Sequence, residues 1–150
     1  MQSSPLIRSA AMRFSIQASL WIAAAVCSSI FHDDKLLCVV TSENQANIAN
    51  LFRVVELGGT EFPYQSDGGV CRIYTAAEIA QIYIAAQTLI TTQTTYHNAL
   101  KAYVQSLEGA EEISSITYGM TLPEPYLSEM NAKLAVAQAQ MNAITEKLGN

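Results

Sequence analysis

The chain is expected to fold as a mainly α protein with a small antiparallel β element, an elongated bundle or antiparallel helical hairpin packed with a short sheet. Three observations predict this. Residues 74–108 keep larger side chains at alternating steps of three and four, the signature of one long helix. Leu127, Met130, Leu134, Ala137, Met141, Ile144 and Leu148 hold a seven-residue register over three heptads. Between two apolar β-rich runs, Ser66-Asp67-Gly68-Gly69 supplies the turn of a hairpin.

Taken in order, Ser4-Pro5 reads as a helix start, serine capping and proline tolerated in the first turn. From Phe14 to Phe31 no residue is charged, and Phe14, Ala18, Trp21 and Ala25 share one helical face. Arg8 and Arg13 precede this run, so a signal or anchor reading of residues 14–31 has to be weighed. Ser15, Gln17, Ser19, Ser28 and Ser29 dilute it, and its length sits at the lower limit of a span. A buried amphipathic helix is preferred. His32-Asp33-Asp34-Lys35 reads as a solvated turn rather than a metal site, because adjacent residues do not converge on one ion and no second ligand cluster exists.

Leu36–Val40 is a short strand candidate. Ser42-Glu43-Asn44-Gln45 then gives the Ser-x-x-Gln capping box of a helix through Leu57, with Ile48, Leu51, Phe52 and Val55 as its buried stripe and Gly58-Gly59 as its end. The hairpin strands are residues 61–65 and 70–74, with Pro63 confining the first to an edge or its first residues. Thr75-Ala76-Ala77-Glu78 is a second capping box. It opens the central helix, whose stripe is Ile79, Ile82, Ala86, Leu89, Gln93, Tyr96, Leu100, Tyr103 and Leu107 and whose stop is placed at Gly109. Residues 110–116 form a short helical turn, and the two prolines of segment 118–125 keep it extended. The last helix, Tyr126–Leu148, is read first as an antiparallel return along the central one, and alternatively as a coiled coil with another chain. Residues 1–117 thus form a helix plus a small α+β unit with the long helix, and residues 118–150 a linker and heptad helix.

Composition narrows the function. Charged residues are 14% of the 150, against about a quarter in ordinary domains, while 50% are hydrophobic. A net charge of −5 with eight Lys and Arg and no basic run argues against phosphate-based nucleic-acid binding. Cys27, Cys38 and Cys71 lack CxxC spacing and read as small buried thiols in a reducing compartment. No GxSxG, HExxH, Walker loop or dinucleotide fingerprint occurs, and the two histidines have no convergent acid–base partner, so neither an enzyme nor a cofactor is expected. What remains is a surface. Gln87, Thr91, Thr94, Thr95 and Asn98 form a polar but uncharged face where a solvated helix carries Lys and Glu. With the heptad residues Leu127, Met130, Leu134, Met141, Ile144 and Leu148 they are the candidate partner-binding residues.

The order and spacing of several segments resemble a small domain of unknown function found in tailed-phage tail-fibre and tail-associated proteins. The matching features are Thr41 to Ile48, a strand leading into Ser-x-x-Gln-Ala-Asn-Ile; Phe62, Pro63, Asp67 and Gly68 of the hairpin; Tyr74, Thr75, Ala76 and Glu78 at the helix start; Tyr96 near its middle; and Glu111 to Ile116. The resemblance covers residues 35–117. It implies a virion structural protein of the phage tail, non-enzymatic, docking on fibre or baseplate proteins as a homo- or hetero-oligomer, and present in the host cytoplasm during assembly. A fibre-assembly chaperone absent from the mature particle, or a small membrane-anchored protein, are the alternatives.

Overall fold

In the computed structural model the described residues are 42–65 and 70–148, together with the backbone of residues 31–32 and 35–36. The amphipathic or membrane reading of residues 14–31, Cys27, Cys38 and most of the Leu36–Val40 strand therefore lie outside the described residues, whereas Cys71, expected to be buried, is exposed just before the second strand of the 61–75 hairpin. Strands β1 (Phe31–His32) and β2 (Lys35–Leu36) pair antiparallel, Phe31 opposite Leu36 and His32 opposite Lys35.

Helix α1 (Ser42–Glu56) ends one residue earlier than expected, leaving Leu57 84% exposed. Gly58 adopts φ +92°, which lets its N–H and that of Gly59 return to the carbonyls of Val55 and Val54, both at 2.9 Å. A Cβ on Gly59 would stand 2.9 Å from both the Phe62 ring and Val54, so chain reversal and core contact occur at one point. Strands β3 (Glu61–Tyr64) and β4 (Arg72–Thr75) pair antiparallel with Phe62 opposite Tyr74 and Pro63 opposite Ile73. The period-two alternation sends Phe62 and Tyr74 inward, 4% and 2% exposed, and Ile73 outward.

Helix α2 (Ala76–Ser106) is a single rod of 31 residues, about 46 Å long. Its capping box forms as read: the Glu78 N–H donates to the Thr75 hydroxyl at 3.3 Å, and the Thr75 N–H donates to the Glu78 carboxylate at 2.8 Å. That backbone hydrogen bond, more than the nearby Arg72, holds Glu78 below the usual carboxylate range. Arg72 donates to Glu78 at 3.3 Å and lies 3.7 Å over the Tyr74 ring, tying hairpin to helix. Both ends differ from expectation by about a turn or less. Tyr74 and Thr75 belong to β4, because their backbone groups pair with Phe62 and Glu61 before the cap opens the helix. At the other end Leu107 leaves the helix in an extended conformation and packs against the Leu100–Val104 cluster, so Gly109 is not the stop. It is the N-cap of α3 (Ala110–Ser115), its N–H donating to the Glu112 carboxylate at 3.3 Å.

Helix α4 (Tyr126–Leu148) returns along α2 within the same chain. Leu127 and Met130 pack near Leu100 and Val104, whereas Ile144 packs near Ile79, so the two helices are antiparallel. Helix α1 is also antiparallel to α2: Ile48 packs against Ala86, and Phe52 stacks on Tyr83 with ring centroids 4.1 Å apart. The fold is mainly helical with a small antiparallel sheet. Its core divides between the two ends of α2. One part gathers Phe52, Val55, Phe62, Tyr74 and Ile79; the other gathers Leu100, Val104, Ile113 and Leu122.

Candidate docking surface

α1 and the hairpin occupy the Ile79–Ala86 side of α2, and α4 lies along its Tyr96–Leu100 side. Gln87, Thr91, Thr94 and Asn98 recur at steps of four, three and four, so they line one strip of the helix. Thr94 and Asn98 are exposed; Gln87, Thr91 and Thr95 are half-buried. The strip carries hydroxyls and amides and no charge.

The heptad residues are less enclosed than an internal stripe requires. No residue of α4 is buried, although Leu127, Met130, Leu134, Met141 and Ile144 are half-buried, and Leu148 is 39% exposed. Midway along the pair, the short threonine side chains of α2 leave the packing open. Thr88, Thr91 and Thr92 of α2 stand opposite Leu134, Ala137 and Met141 of α4 across an open trough of about 410 Å³. Of the predicted residues, the trough brings together Thr91, Leu134 and Met141. Leu127 and Met130 join the far core, Ile144 the near core, and Gln87, Thr94, Thr95 and Asn98 stay outside the trough.

A second, smaller cavity of about 330 Å³ continues toward the C-terminal end, between Gln93, Tyr96, Tyr118 and Met130. Its wall is a latch that sequence reading did not find. The Tyr96 hydroxyl accepts from the Gly119 N–H and donates to the Met120 carbonyl, both at 2.9 Å, and the Tyr118 ring meets Tyr96 edge-on at 5.2 Å. Burial raises the pKa of both tyrosines, so each stays a neutral phenol over ordinary pH. A tyrosine at helix spacing is a signal for packing only; its partner 23 residues on is set by the path of a proline-bearing loop.

Among the described residues no group of three or more His, Cys, Asp or Glu could hold a metal ion, and no helix is long and apolar enough to cross a membrane. Buried polar or charged residues are absent from the described core. The arrangement offers shape and hydrogen-bonding capacity. No protein-family model, curated protein or solved structure matches the chain.

Proposed function

We propose that the chain is a non-enzymatic structural component of a bacteriophage tail, an adaptor or connector that docks on a fibre or baseplate protein. The observation that carries the docking part is the uncharged strip Gln87, Thr91, Thr94 and Asn98, of which Thr94 and Asn98 stay exposed beside α4. An isolated helix gains nothing from keeping such a strip free of Lys and Glu. A partner interface does, since burying threonine or asparagine against matched groups costs far less than burying a charge. The tail assignment rests on the resemblance over residues 35–117.

Mass spectrometry of purified particles tests it. The chain is expected in mature particles at a fixed ratio to one fibre or baseplate protein. Its presence in the lysate during assembly together with its absence from finished particles would identify a folding assistant and overturn the structural role.

A further inference from the structure

Residues 117–120 close one wall of the cavity between Gln93, Tyr96, Tyr118 and Met130, and they are fastened lightly. Two hydrogen bonds, both to the Tyr96 hydroxyl, and the edge-on Tyr118 ring hold this segment to α2. Thr117 and Gly119 are exposed, whereas Ile113 before them and Leu122 after them are buried in the far core. Gly119 sits at φ +93° with open space where a Cβ would stand, so it serves as a hinge. The segment is therefore free to lift between two fixed anchors while the helices stay packed.

Beside it stands a group that resists a proton in place. The Nδ1 of His97 is enclosed without a hydrogen-bond partner among the described residues, and the Tyr118 ring lies 6.3 Å from the imidazole. That is just beyond the roughly 6 Å over which an aromatic face steadies a cation. Lys101, one turn on, adds a like charge. Nothing in the segment offsets it: residues 116–120 read Ile-Thr-Tyr-Gly-Met, and Tyr96 and Tyr118 stay neutral phenols. On the adjoining α3 and α4, Glu111, Glu112, Glu129 and Lys133 are exposed, and among the described residues no ion pair joins any of them to His97.

We propose that segment 117–120 is an acid-released latch with His97 as its sensor. With the segment down, protonation puts a cation into an enclosed place beside Lys101. With it lifted, water reaches the ring and the imidazole regains its ordinary basicity. Protons therefore favour the lifted form. Its population is level above neutral pH and rises as pH falls through about 6.5, by at most tenfold per pH unit. It levels again once the closed form also takes up the proton. Lifting bares Tyr96, Met130 and Leu134 on the seam between α2 and α4. The inference goes beyond the tail reading and does not depend on it.

Exchange of the Gly119 amide with water, followed by NMR on the full chain and divided by the unstructured-chain rate at each pH, reads the latch directly. Its protection should fall several-fold between about pH 7.5 and about pH 5.5, while the amides of Leu100 and Val104 keep theirs. His97→Gln should hold the Gly119 protection level over the same range. Lys101→Met, at an exposed position, should make the fall shallower, because the closed form then accepts the proton more readily. Protection that stays level in the unaltered chain overturns the proposal. So does an equal fall in His97→Gln, or a loss shared by Leu100 and Val104, which would be unfolding of α2 rather than release of the segment. If His97→Gln does not fold, Lys101→Met decides: a shallower fall supports the latch, and an unchanged one overturns it.

Discussion

His97 shows how a single side chain reports on its surroundings. Its Nδ1 is enclosed without a hydrogen-bond partner among the described residues, and its ring lies 6.3 Å from that of Tyr118. Burial, and then the positive charge of Lys101 one turn on, holds the imidazole below its usual 6.5. The sign follows from proton counting. As pH falls through about 6.5 the unfolded chain takes up a proton that the folded chain declines, so stability drops until the folded pKa is passed and is then level. Above about pH 7.5 the residue contributes no pH dependence. Glu78 acts in the same direction but only lower, in the carboxylate range. Urea unfolding midpoints should therefore fall between neutral pH and the lower end of the histidine range, and His97→Gln should flatten that part of the profile. An unaltered slope in the variant would assign the effect elsewhere.

At the scale of elements, boundaries were legible where local chemistry decides them. The Thr75–Glu78 box forms as its spacing predicts, and α4 runs from Tyr126 to Leu148 because proline stands before it and the heptads run through it. The C-terminal end of α2 was not legible. Gly109 has the residue type of a helix stop, but the helix already ends three residues earlier, at Ser106, after which Leu107 joins a cluster that includes Ile113 and Leu122. That packing is tertiary and has no local signal. The same holds for the latch on segment 117–120. Tyr96→Phe removes two hydrogen bonds and should cost about 1 kcal/mol, the low end because the Gly119 N–H lies near solvent and can recruit water. Chemical denaturation of the variant measures it; no loss at all would mean that ring packing alone holds the segment.

Over the whole molecule, one long helix joins two core clusters, and the weakest packing lies between them. Periodicity foretold the helical hairpin, since an apolar stripe must be buried and a short loop offers the nearest partner. It could not foretell that Thr88, Thr91 and Thr92 would come opposite Leu134, Ala137 and Met141, because the axial offset of α4 on α2 is set by the loop of residues 116–125. The polar strip was legible by composition; that Thr94 and Asn98 stay exposed beside α4 while Thr91 turns into the trough required the packed structure.

If the chain is the tail adaptor proposed above, a partner covers this strip in the assembled particle. Thr94→Cys in a background with Cys27, Cys38 and Cys71 replaced by serine gives one thiol on the strip, and its rate of maleimide labelling can be compared in the free chain and in assembled particles. The account predicts fast labelling in the free chain and at least a tenfold loss, about 1.4 kcal/mol of protection, in the particle. Equal labelling in both, with the chain present in the particle, would contradict it.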